Sequence, residues 1–302
     1  MHLNTLRPDQ IISFDIHVKV DNRHVVYRHR DEKIEGEKIK AMLAKQIKKV
    51  FITESDEENY LSYLDAGLGD LAKTDVAVAD KANLAKDTLS THAANIERNL
   101  ETEKAYNRST DQLAKVIDFF ATENKALKHV LANAGLATDN TEHSSNVASY
   151  ALGLATLAGI KKPETLLELG IAALVHDLGS TKLGLDPLLP REKMKGDTLK
   201  RYLGHTTEGA AVLSGKPFIT SRILALVADH EELGEGRGYP EKKNIANLSR
   251  SSQILNLCNA FDKYCMVSKQ PVFTALDEFI GKNGEFFPTD LLTLLVTVVT
   301  AK

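Results

Sequence analysis

The apolar run 171–175 ends on an imidazole and a carboxylate side by side, His176-Asp177. A helix with no polar stripe is a buried helix, so this charged dipeptide closes an element that must otherwise lie in a core. Burying a carboxylate is costly unless it is paired or bound to a cation. Two arrangements meet that demand, a hydrogen-bonded His-Asp pair or a metal site. In the second, the imidazole serves one ion while the carboxylate, with two oxygens, bridges two ions about 3.5–4 Å apart, the spacing used for hydrolytic displacement at phosphorus.

Helical periods recur through the same half of the chain, at 142–158, 163–178 with Pro163 in the first turn, 199–213, 219–230, 248–267 and 288–300. Residues 129–302 therefore read as an all-helical domain. The preceding stretch, 74–128, is rich in Ala, Lys, Asp, Glu and Asn and holds no Gly or Pro, which predicts long linking helices. The first 73 residues differ in kind. Ile12, Phe14, Ile16, Val18 and Val20 alternate with polar residues, the period of a half-buried strand, and Asp21-Asn22 turns the chain. A second strand over 24–29, a helix over 36–48, a short strand over 50–53 and a helix start at Ser55 complete a small α+β module. The expected fold is mainly α, with boundaries at 1–73, 74–128 and 129–302.

Bulk properties exclude more than they identify. A formal charge of −3 gives no drive toward nucleic acid or an anionic membrane, so neither is an expected partner and any anionic ligand must be held by local positive charge. No apolar signal or bilayer-spanning stretch stands out, which reads as cytoplasmic. Cys258 and Cys265, seven apart on one expected helix, read as buried free thiols.

Four of the ten histidines carry distinctive neighbours: His143 in Glu-His-Ser-Ser-Asn, His176 in Val-His-Asp-Leu-Gly, His205 in Gly-His-Thr-Thr-Glu-Gly, and His230 in Asp-His-Glu-Glu. One such histidine alone is more often a hydrogen-bonded structural residue than a ligand. In this order, with Gly238-Tyr239-Pro240 after His230 and a helix carrying Asn259 and Asp262 behind it, the set resembles the HD-GYP family of cyclic di-GMP phosphodiesterases, a branch of the HD metal-dependent phosphohydrolases. The resemblance spans about Asp139 to Lys269, and the N-terminal module is similar to the accessory domain preceding many such domains.

The resemblance implies two divalent metal ions, iron foremost, with manganese or zinc compatible with mixed His and carboxylate ligands. It implies His143, His176, Asp177, His205, Asp229, His230 and Asn259 as ligands, with Asp177 bridging at the catalytic centre. Departures accompany it. Asp229 replaces the first histidine of the family's His-His pair, and Asn259 replaces a metal-binding aspartate. Together they conserve the carboxylate count, which predicts that Asp229 takes over as the anionic ligand. Asp262 is a fallback donor one turn beyond Asn259, better read as a cap or salt bridge, and Asp139 is a candidate for an additional metal, better read as a surface acid. Ser180 stands where the family has lysine, Gln253 where it has arginine, and the loop before Tyr239 is rearranged as Gly234-Glu235-Gly236. Lys182, Arg237, Tyr239, Arg250 and Lys269 are the expected substrate contacts. The implied activity is hydrolysis of cyclic di-GMP or a related nucleotide. Against it stands a catalytically weak, metal-containing module that senses a nucleotide or a signalling-protein partner, and a phosphohydrolase for another nucleotide is the third reading.

Overall fold

The structure is a computed structural model that describes residues 1–300 apart from 46, 48, 73–75, 100–101, 124, 133–136 and 187–188. Near the N-terminus, β1 (Ile16–Val20) and β2 (Arg23–Arg28) pair antiparallel, with Val20 opposite Arg23. Asp21 and Asn22 fill that two-residue turn, both at positive φ, a conformation short polar side chains tolerate best. The strand expected from residue 12 is shorter, because Ile12 instead exchanges backbone hydrogen bonds with Asp31 and Glu32. The strand expected over 50–53 reduces to one bridge, Phe51 against His17. Helices α1 (Gly36–Ala44) and α2 (Glu57–Gly67) bring Ile39, Met42, Tyr60 and Leu64 to the core that Ile16 of β1 also enters. Leu3, Ile12, Phe14, Ile16, Ile34 and Leu64 make a small apolar core confined to residues 3–64.

A second, larger core runs from Leu68 to Val299. Helices α3 (Val78–Arg98) and α4 (Glu103–Thr122) contribute Leu89, Ala93, Leu113 and Val116 to it, so both are built into the helical body. After α5 (Ala126–Leu131) comes the central α6 (Asn140–Leu157), buried without interruption from His143 to Ala155. It packs against α3, α5, α7 (Pro163–Val175) and α11 (Arg250–Ser268). Asp139 caps α6 by accepting from the Glu142 N–H. Short α8 (Leu178–Lys182) lies on α9 (Gly196–Leu213), which packs on α10 (Ser221–Asp229).

Thr220 and Ser249 cap α10 and α11 through their hydroxyls. Helix α12 (Val272–Asn283) is absent from the sequence expectations, although Val272, Ala275, Leu276, Phe279 and Ile280 carry the i, i+3, i+4 spacing. Helix α13 (Thr289–Thr300) closes the body. Among the described residues no helix is long and apolar enough to cross a membrane. Cys258 and Cys265 are free and buried, and burial pushes both thiols well above the ordinary thiol range.

Candidate metal centre

Five helices deliver one side-chain cluster. His143 lies in the first turns of α6, His176 and Asp177 follow the last residue of α7, His205 is inside α9, His230 ends α10, and Asn259 is midway along α11. Close backbone approach makes this convergence possible. A Cβ on Gly179 would stand 1.9 Å from the His205 carbonyl oxygen, so only glycine lets α8 lie against α9 there. The Gly238 of Gly-Tyr-Pro acts alike, since its Cβ would fall 2.3 Å from the Glu231 carbonyl oxygen. Gly234 packs on the Phe286 backbone, so these loop glycines serve chain packing.

The donors divide about Asp177. Its Oδ2 lies 3.6 Å from the Nε2 atoms of both His143 and His176. Its Oδ1 lies 3.1 Å from His205 Nε2 and 3.6 Å from His230 Nε2. Asn259 Oδ1 adds to the first group, 3.0 Å from His143 Nε2 and 3.3 Å from His176 Nε2. Each group, one with His143 and His176 and one with His205 and His230, brings its ligand atoms within 4.8 Å of one another and shares Asp177. All five of these histidine and aspartate side chains are buried.

Every ring is held from behind. His176 Nδ1 donates to the Ala173 carbonyl at 2.8 Å, His205 Nδ1 to that of Tyr202 at 2.5 Å, and His230 Nδ1 to that of Val227 at 2.7 Å, each three residues earlier. A carbonyl only accepts, so these rings carry their protons on Nδ1 and present Nε2 lone pairs to the centre. His143 differs: its Nδ1 meets Asp262 Oδ2 at 2.7 Å, while Asp262 Oδ1 accepts from Asn146 and Tyr150. Lone pairs then face each other across 3.0 Å between His205 and His230 Nε2, and across 3.3 Å between His143 and His176 Nε2. A cation between them turns that repulsion into ligation, so the residues fit a metal pair.

Charge agrees with this. Burial lowers both His176 and His230 from the ordinary imidazole value, which favours the neutral, ligating form. Burial alone would raise Asp177, but Lys263 and the surrounding imidazoles hold it well below the usual carboxylate range. Against the same opposing burial, Lys263 and His230 bring Glu231 down to about 2.

The structure brings His143, His176, Asp177, His205, His230 and Asn259 together, but not Asp229. The Asp229 carboxylate pairs with Lys243 at 2.8 Å and lines a different cleft, beside Lys161 and Arg222. Successive helical residues project about 100° apart, so Asp229, in regular helix, points away from His230. Asp177 escapes that limit because its backbone has left the helix, at φ −94° and ψ 16°. The charge Asp229 was expected to supply stands instead one bond further out, Asp262 behind His143 and Glu231 behind Asn259, whose Nδ2 donates to Glu231 Oε1 at 3.2 Å. Asp139 is likewise outside the cluster, its carboxylate 2.9 Å from Lys49.

A cleft of about 440 Å³ opens on Asp177 and is lined by Ser180, Arg191, Tyr202, Glu231, Lys263 and Tyr264 among others. None of the expected substrate contacts, Lys182, Arg237, Tyr239, Arg250 and Lys269, lines it. Arg237 lies over the Phe286 ring, and Arg250 is paired with Asp290. Tyr239 is buried beside the centre, its ring 6.0 Å from that of His205 and 5.9 Å from that of Tyr202. Lys263 and Glu231 are the residues that sequence reasoning missed. Lys263 stands four residues after Asn259, hence on the same helical face, and that spacing was the available signal.

The chain matches the HD domain family over residues 125–281, just over half its length. A comparison with curated protein sequences finds no match. Among solved structures it is similar to Bd1817, an HDGYP protein from Bdellovibrio bacteriovorus, with a TM-score of 0.83, 23% sequence identity, and coverage of 100% of this chain and 99% of that one. The chain thus belongs to the HD-domain family, and its fold is that of an HD-GYP protein.

Proposed function

We propose that this protein holds two divalent cations and uses them to bind, and slowly hydrolyse, a phosphodiester of the cyclic di-GMP class. One observation carries the reading: the two oxygens of a single buried carboxylate, Asp177, each face a separate pair of imidazole lone pairs. His143, His176, Asn259 and Asp177 Oδ2 would hold one ion, and His205, His230 and Asp177 Oδ1 the other. Iron is the first candidate, and manganese and zinc suit the same donors. Such ions lower the pKa of water toward neutrality and withdraw charge from phosphoryl oxygens.

The chain's own groups do the positioning. The three backbone carbonyls and Asp262 fix the rings, which keeps all four Nε2 atoms aimed at the centre. Tyr202 lines the cleft and Tyr239 packs behind it, beside His205. The cleft beside Asp177 receives the phosphodiester, with Lys263 as its innermost cation.

A second reading, a binding module with little turnover that answers to a nucleotide or a signalling partner, has its own support. Ser180 spends its hydroxyl on Asp177 Oδ1 at 3.1 Å and brings no charge. Gln253 spends its amide nitrogen on the Ile245 and Leu248 carbonyls. Freshly prepared protein should contain about two ions per chain by elemental analysis, and metal-loaded protein should bind cyclic di-GMP with slow or absent turnover. One ion or none, with no uptake of iron, manganese or zinc, would sink the metal reading. Rapid hydrolysis would remove the second one.

A further inference from the structure

We infer that Lys263 is the residue that receives the anionic ligand at this centre, with Glu231 as its tether and competitor. The inference rests on the reading of the cluster as a metal site with a phosphodiester cleft. Lys263 Nζ lies 2.9 Å from Glu231 Oε1 and 3.3 Å from Asp177 Oδ2, and it lines the cleft that opens on Asp177. Its side chain keeps 24% exposure, so it is packed at the centre yet still forms part of the cleft wall. Among the described residues no other lysine or arginine touches Asp177.

The other lysine and arginine side chains that line the cleft do not pair with Asp177. Lys282 bonds the Tyr264 hydroxyl at 3.0 Å and reaches Glu278 at 3.4 Å, and Arg191 lies over the Tyr239 ring at 5.2 Å.

An ammonium has three donors and no acceptor. Glu231 accepts one of them at 2.9 Å, while Asp177 Oδ2 lies at ion-pair distance, 3.3 Å, a claim that a cation bound at Asp177 would weaken. A phosphate oxygen entering beside Asp177 therefore meets a fixed positive charge with donor capacity to spare. A purely structural ion pair predicts something different, since removal of either partner then has the same consequence. The proposed roles predict opposite signs. Loss of the ammonium removes the anion's partner, whereas loss of the Glu231 charge removes a competitor for it and leaves the ammonium in place.

The test uses the full-length chain loaded with metal, inorganic phosphate as probe, and calorimetric titration of wild type, Lys263→Met and Glu231→Gln, with metal content measured on each sample. Lys263→Met should keep its ions and bind phosphate about tenfold more weakly, the worth of one charge-assisted hydrogen bond. Glu231→Gln should bind phosphate as tightly as wild type or a few-fold more tightly. Equal weakening in both variants, or no weakening in Lys263→Met, would overturn the assignment, as would wild type that binds no phosphate. Metal content of the wild type judges the underlying reading separately, because the ratio of the phosphate affinities of wild type and Lys263→Met depends on the lysine charge and the ion count does not.

Discussion

On the Oδ2 side of Asp177 stand two imidazoles and an amide oxygen; on the Oδ1 side stand two imidazoles, with the Ser180 hydroxyl donating to Oδ1 itself. The rings on the second side are held only by carbonyls of their own helices, at Tyr202 and Val227. On the first side His143 is backed by the fully buried carboxylate of Asp262, which α11 carries across to α6. A carboxylate behind an imidazole strengthens it as a ligand more than a neutral carbonyl does. The first half thus has a spare donor and a stronger one, while the second has the minimum of three. If each half holds an ion as proposed, the first should retain its ion and the second exchange it more readily.

The strongest challenge to this division is Asp177→Ala. It removes the only group the halves share, so ion content should fall from about two per chain to none by elemental analysis. Retention of one ion would mean that the halves are independent sites. Next in size is the contrast between His205→Ala and His143→Ala, followed by competition with a chelator. His205→Ala leaves two donors and should release its ion outright, whereas His143→Ala leaves His176, Asn259 and Asp177 and should weaken its ion by about 100-fold. Equal losses would erase the asymmetry.

Smaller still is Asp262→Asn, which should weaken the first ion about tenfold and spare the second. The same substitution also disturbs Asn146 and Tyr150, so a thermal melt recorded alongside separates metal loss from general loosening. The smallest effect belongs to Asp229→Ala. It breaks a partly exposed pair with Lys243, worth at most about 1 kcal/mol, and should leave both ions in place. Loss of an ion from this variant would restore Asp229 as a ligand.

The degree to which the centre was legible in the chain follows from what each signal encodes. The four histidines could be picked out because their neighbours are unusual, and Gly179 and Gly238 because they stand beside His176-Asp177 and Tyr239-Pro240, although the close backbone approaches that require glycine there appear only in the fold. The α+β module was readable from the alternation before Asp21, though its third strand shrank to a single bridge once Phe51 met His17 alone. Helix α12 was overlooked although its apolar spacing is regular, and the large core it joins includes Leu276 and Phe279.

Sequence by itself determined that the C-terminal part is helical, that an apolar helix must end on His176-Asp177, and that a cation or a partner must meet the pair, because periodicity and burial cost are local properties. Only the tertiary structure decided which charges turn inward. His176-Asp177 and Asp229-His230 look alike as acid-imidazole neighbours, but the chain leaves the helix at Asp177 and remains helical at Asp229, so one carboxylate faces the centre and the other faces Lys243. Spacing likewise placed Lys263 on the face of Asn259 without telling that Asp177 and Glu231 would close around it. Those contacts join α11 to the ends of α7 and α10, and a distance between helices is set by packing of the whole core, which no local pattern encodes.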